Sequence, residues 1–341
     1  MKLSLISLDN KYKKDVKKYL KDLVEQDNQD FEVILCLNHS NEETQVMRVI
    51  SEYYDFFKER LIVIYNSKIN SYQYNLLSAF KLAKGDFIAV INSTSHLKKN
   101  YVSEIVNQAK FYDVDILELK PRIIGSISWK PKLRQQTDKP VLISKNKSVI
   151  AYAFPFIFNK IFKKQLLKKV INYIPANNYD TKMCIEINYI LLLEAKTYMY
   201  LDYRIYREYF DSDIWFNTKH LLGSFNGIEK RMLNKPIEDR CDEEFIYAKS
   251  YFIKLLLTGF LIGTSLMYRT IFFNERRIIK EKRSKFLLDK HFELLTKLEN
   301  QFCANNYYSS NPYIRKTSTE TSLILSDSKK LRKIPILSAL E

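Results

Sequence analysis

Leu3-Ser4-Leu5-Ile6-Ser7-Leu8 is apolar enough to read as a buried strand, and it begins the alternation that decides the fold. Val16, Tyr19, Leu20, Leu23 and Val24 follow at helical spacing. Residues 31–37 form a second apolar run rich in β-formers, and Val46, Val49, Ile50, Tyr53 and Phe57 mark a second amphipathic helix. A strand at 61–65, a helix through 76–82, a strand at 87–91, a helix at 101–109 and a strand at 114–119 continue the series. Strands alternating with helices imply right-handed crossovers and a mainly parallel central sheet flanked by helices. Such sheets bind ligands beyond the C-terminal ends of their strands, so the informative residues are those following each strand.

From residue 121 to about 148 the pattern gives way to a basic, polar connection. An aromatic stretch at 154–162, an apolar helix at 185–193 and a strand at 197–201 follow. We therefore expect an α/β domain over 1–210, a helical C-terminal region over 211–300 and a polar, flexible tail over 301–341. The longest apolar run, 255–268, is shorter than the ~20 residues a spanning helix needs, so a buried or interfacial helix is expected. No signal peptide is read at the N-terminus.

The composition is that of a globular protein, with 46% hydrophobic and 28% charged residues. Its four cysteines (Cys36, Cys184, Cys241, Cys303) stand at no metal or redox spacing. Reduced thiols and a cytoplasmic location are expected. The net charge of +16 suits an anionic partner. No zinc-finger spacing, RNA-recognition signature or basic-helix-plus-heptad pattern is present, so nucleic acid is not the expected partner.

Several segments in register resemble family 2 glycosyltransferases of the GT-A fold. Residues 4–10 stand at the family's first strand and turn, and Gln26 with Phe31-Glu32-Val33-Ile34-Leu35 matches its Gln-x-x-x-x-Phe-Glu-Ile-Ile segment. Asn75 falls on its Ala-Arg-Asn helix, and Ala83-Lys84-Gly85-Asp86-Phe87-Ile88 resembles its lead into the fourth strand. Asn159-Lys160-Ile161-Phe162-Lys163-Lys164 is similar to its Asn-Lys-Leu-Tyr-Lys-Arg run. Ile205-Tyr206 and Tyr209 are a remnant of its Leu-Tyr-x-Tyr-Arg run.

The resemblance implies a nucleotide-diphospho-sugar substrate, with Ser7, Asp9, Asn38, His39, Asn75, Asn92, Thr94 and Ser95 at the binding positions. It also implies a divalent cation, Mg²⁺ or Mn²⁺, that neutralises charge on the leaving diphosphate, and a carboxylate base for the acceptor hydroxyl. The chain departs from the family at those points. The second-strand motif reads Leu37-Asn38-His39-Ser40, the fourth-strand motif Asn92-Ser93-Thr94-Ser95-His96, and the base region Lys182-Met183-Cys184. The metal's carboxylates are missing. Asp180 is the candidate base, with a helix cap as its competing role. Asp9 is a nucleoside contact or a turn residue. His39 and His96 each follow a strand and could meet at the pocket. A Lys or Arg facing the diphosphate would replace the cation's charge, but no particular one stands out.

Arg276, Arg277, Lys280, Lys282, Arg283 and Lys285 lie beside Ile278, Ile279, Phe286, Leu287 and Leu288, a basic amphipathic pattern. Such a stripe suits an anionic lipid surface at the inner face of the cell membrane, or it packs on the first domain with its charges solvated. Two functions follow. One is a hexosyltransferase, inverting by resemblance, acting on a lipid or polysaccharide acceptor through a metal-poor site. The other is an inactive relative serving as a binding or scaffold partner of an active enzyme.

Overall fold

A computed structural model describes residues 1–38, 40–66, 71–136, 139–176, 181–210, 218–263 and 275–341; for residues 218–220, 275–281, 283 and 284 it describes the backbone alone. The strands are β1 (Leu3–Ser7), β2 (Phe31–Asn38), β3 (Leu61–Asn66), β4 (Phe87–Val90), β5 (Ile116–Leu119), β6 (Ile123–Gly125), β7 (Val141–Leu142), β8 (Lys160–Lys163), β9 (Thr197–Leu201) and β10 (Glu208–Phe210). Eight of them form one mixed sheet in the order β3-β2-β1-β4-β8-β5-β9-β7, and β6 pairs with β10 in a second, two-stranded parallel sheet. Within the large sheet only β8 and the edge strand β7 run antiparallel to their neighbours. Strands covered on both faces should read as near-continuous apolar runs, and every residue of β1 and all but the last of β2 are buried.

The polar residues inside these strands are fasteners. Ser4 Oγ donates to Glu32 Oε1 at 2.6 Å, the Lys84 amide donates to the same oxygen, and the Gly85 amide donates to Ser4 Oγ at 2.9 Å. Gly85 lies so close to β1 that a Cβ there would stand 2.6 Å from the Ser4 backbone nitrogen. At Gly125 the backbone takes φ +105°, and a Cβ would meet the Phe210 carbonyl oxygen at 2.3 Å. That glycine lets β6 and β10 approach.

The connection read as polar and irregular contains β6 and β7 and buries Trp129 against Phe154, Phe156 and Phe260. One continuous apolar cluster runs from Leu3 to Leu340, so the C-terminal helices share the core of the sheet. This explains why helix Ile185–Glu194 is buried on all sides from Ile185 to Leu193. The stretch Ile237–Gly263 is long and apolar enough to cross a membrane, yet 89% of its most apolar window is buried inside the protein.

The segment 301–341 differs from the flexible tail expected. It carries four short helices, Tyr307–Ser310, Thr319–Leu325, Ser328–Leu331 and Ile336–Ala339, and buries Ile324, Leu331 and Ile336. Buried Arg134 holds Glu320 in a bidentate pair at 3.1 and 3.2 Å, the strong form of this contact. Helices of four to seven residues are too short to print a periodicity in the sequence.

In helix Glu275–Ala304, the part of the basic stripe with described side chains exposes Lys282, Lys285 and Phe286. Two turns on, His291 and Phe292 are buried. His291 Nε2 lies 2.7 Å from Thr258 Oγ1 and 3.2 Å from the Ile253 carbonyl oxygen. Burial holds its pKa down at about 4, partly opposed by the Ile253 contact. The unfolded chain, with an ordinary histidine near 6.5, therefore takes up a proton that the folded state resists. Stability should be full above pH ~6.5 and fall by roughly 2–3 kcal/mol as pH drops towards 4. Urea midpoints of the wild type and His291→Gln across this range test it. The variant should lose this part of the slope; identical slopes would refute the assignment.

Candidate functional site

The register brings Ser7, Asn38 and Asn92 to the C-terminal ends of adjacent strands. β1 lies between β2 and β4, with Ser7 opposite Leu35 and Ile6 opposite Val90. Asn38 and Asn92 therefore flank the end of β1.

On the β4 side, Asn92 is the organiser. Its Oδ1 accepts from the Leu8 and Asp9 amides at 3.0 and 3.1 Å, fixing the turn after β1. Its Nδ2 donates to Glu208 Oε1 at 2.9 Å, and Ser95 Oγ donates to Glu208 Oε2 at 3.2 Å. Ser7 Oγ donates to Asn10 Oδ1 at 2.6 Å and accepts from the Ser93 amide at 3.0 Å, so this hydroxyl is spent on the turn. Ser93 Oγ donates to the Asp9 carbonyl at 2.6 Å. Thr94 Oγ1 is buried without a hydrogen-bond partner.

Between Asp9 and Glu208 sits a buried ammonium. Lys182 Nζ lies 3.1 Å from Glu208 Oε1 and 3.5 Å from Asp9 Oδ2, and donates to the Tyr209 carbonyl at 2.7 Å. Half-exposed Lys11 stands 3.7 Å from Asp9 Oδ1. Among the described residues these four charges sum to zero. Buried charge is tolerated only when paired and hydrogen-bonded in this way. Glu208 also sits among tyrosines: burial first, and then its charge, push the Tyr19 and Tyr206 phenols far above their ordinary range.

On the β2 side, Asn75 Nδ2 donates to Asn38 Oδ1 at 2.7 Å and Asn66 Nδ2 donates to Asn75 Oδ1 at 3.2 Å. Asn75 is buried and positions Asn38, which stays partly exposed. His96 is exposed and lies 3.0 Å from Lys18 Nζ on the first helix. His39 and Asp180 lie outside the described residues.

The structure brings Ser7, Asp9, Asn92 and Ser95 into one cluster and Asn38 and Asn75 into a pair beside it; sequence reading named all six as binding positions without that division. It missed Glu208 and the role of Lys182. Glu208 stands in a Tyr-Arg-Glu-Tyr string that looks like an exposed strand edge, and Lys182 lies in the very segment searched for a carboxylate.

A family model described as "Glycosyl transferase family 2" matches residues 6–177. The chain belongs to that family. Among solved structures, S. aureus TarS 1–349 is 16% identical, covers 88% of this chain and 92% of its own, and superposes with a TM-score of 0.59. The same protein in complex with UDP-GlcNAc gives 18% identity, the same coverage and a TM-score of 0.58. The mannosyltransferase PcManGT from Pyrobaculum calidifontis, in complex with GDP-Man and Mn²⁺, is 11% identical over 97% of this chain and 86% of its own, at a TM-score of 0.49. The likeness to TarS establishes the GT-A-like fold. No curated protein matches the chain by sequence.

The divalent cation implied by the resemblance does not fit these residues. A hard cation wants free anionic oxygens, and the two carboxylates that converge here are already paired with Lys182. Among the described residues no three His, Cys, Asp or Glu side chains gather to hold a metal.

Proposed function

We propose that the chain binds a nucleotide-diphospho-sugar beyond the ends of β1, β2 and β4 and transfers its hexosyl group to a hydroxyl of a lipid or polysaccharide acceptor. The observation that carries this reading is the convergence, at the end of β1, of Asp9, Asn92, Ser95, Lys182 and Glu208 from four separate segments of the chain. In this reading Asn38, held by Asn75, meets the nucleoside and Thr94 the ribose or phosphate, while Ser95 braces Glu208 behind them. In the reaction the acceptor oxygen attacks the anomeric carbon and the bond from that carbon to the diphosphate oxygen breaks. The nucleoside diphosphate leaves with the electron pair, and the hydroxyl proton passes to a base. Asp180 is assigned that role, and inversion follows from a single displacement. The exposed Lys282, Lys285 and Phe286 suit work at the cytoplasmic face of an anionic membrane.

UDP and UDP-GlcNAc, which TarS binds, are the first probes for calorimetry. Labelled UDP-GlcNAc with anionic vesicles then reports transfer. Binding with label carried into lipid, lost in Asp180→Asn, is the expected result. The neutral side chains at Asn38, Asn92, Met183 and Cys184 favour a second reading, a non-catalytic partner of an active enzyme. Binding without transfer from any nucleotide sugar would establish that one, and binding of no nucleotide sugar would end the first.

A further inference from the structure

We propose that Lys182 is the resident cation of this site, seated where the fold would otherwise hold a divalent metal, so that the site works without one. The location follows from the sheet. The ammonium is one contact from Glu208 Oε1, which Asn92 grips, while Ser95 grips the other oxygen. Asn92 and Ser95 belong to the turn after β4, the place of the family's metal-binding motif. The donor set also fits a cation: two carboxylates and the Tyr209 carbonyl gather around one nitrogen at 2.7 to 3.5 Å. These are the oxygen types a hard divalent ion takes, at spacings suited to an ammonium rather than to a metal.

Lys182 is fixed in place. It is buried, its charge lies 5.4 Å from the centre of the Phe210 ring, and the adjacent Met183 carbonyl accepts from the Ile157 amide at 3.0 Å. A divalent ion entering here would meet a buried positive charge and two carboxylates already neutralised. The ammonium therefore does the structural work of a metal, holding the ends of β1, β4 and β10 together. It also keeps this end of the sheet from being net negative when a diphosphate arrives. That last consequence rests on the nucleotide-sugar reading; the seat itself does not.

The test titrates Mn²⁺ alone into the 341-residue chain, following free Mn²⁺ by electron paramagnetic resonance. Wild type should bind no stoichiometric Mn²⁺. Lys182→Met keeps the stem, removes the buried charge and leaves Glu208 and Asp9 with half-exposed Lys11 beside Asp9 as their neighbouring cation among the described residues; it should gain one Mn²⁺ equivalent, lost again when Asp9→Asn is added. One Mn²⁺ bound by wild type and abolished by Asp9→Asn overturns the proposal, as does a folded Lys182→Met that gains none. If Lys182→Met does not fold, the wild-type titration still decides. In parallel, the affinity of wild type for UDP should agree within about twofold in Mn²⁺ and in chelator; a tenfold gain with Mn²⁺ overturns the proposal. Failure to bind UDP under either condition would count against the nucleotide reading alone, because the Mn²⁺ titration does not depend on it.

Discussion

Replacing Lys160 with methionine should cost the fold ~3–5 kcal/mol, the range for removing one partner of a buried ion pair. Lys160 and Glu118 have fully buried side chains and lie 3.4 Å apart. The ammonium also donates to the Phe154 and Phe156 carbonyls at 2.6 and 2.8 Å and to Asn159 Oδ1 at 3.1 Å. Glu118 accepts from the Phe154 amide, Asn159 Nδ2 and Tyr198 Oη at 2.7 to 2.9 Å. Burial pushes the Lys160 pKa down to about 8, with Glu118 pulling the other way. The charged pair survives because nearly every donor and acceptor is used. Methionine would leave Glu118 without its counter-charge, strip the Phe156 carbonyl of its donor and leave the Phe154 carbonyl the long contact from Asn188 Nδ2 at 3.5 Å. Urea unfolding measures the loss. The double variant Lys160→Met/Glu118→Gln should regain part of it, since the uncompensated charge is gone. A single-variant loss below ~1 kcal/mol would mean the pair does not pin β8 between β4 and β5.

That network shows what the sequence did and did not reveal. The segments carrying the family resemblance are structural fasteners. Glu32 and the Ala-Lys-Gly-Asp segment are two ends of one contact, through Ser4 and the Lys84 amide. Gln26 closes the end of the first helix on the Asp22 and Lys98 carbonyls and accepts from the Val102 amide. Asn159 and Lys160 serve Glu118. These contacts depend on local spacing inside strands whose burial the apolar pattern already announces, so reading them gave the fold. The site was harder. Whether a strand-edge glutamate is buried depends on what pairs with it, and Glu208 is paired through β6 and grips Asn92, 116 positions away. Lys182 looks like any other residue in a chain with 55 basic side chains. Only the closure of the fold singles it out.

Glu208 is where the second large effect is expected. Glu208→Ala should cost ~3–5 kcal/mol, because it leaves the Lys182 ammonium with too little negative charge and frees Asn92 Nδ2 and Ser95 Oγ in a buried site. Glu208→Gln keeps the shape and an acceptor for Asn92 but not the charge, so a loss of roughly 1–2 kcal/mol is expected. The damage should spread in a definite direction. Asn92 holds the Leu8 and Asp9 amides, so loosening it unlocks the turn at the head of β1, and UDP affinity should fall with stability even though Glu208 itself is fully buried. An alanine variant as stable as the wild type would mean that Glu208 does not neutralise Lys182.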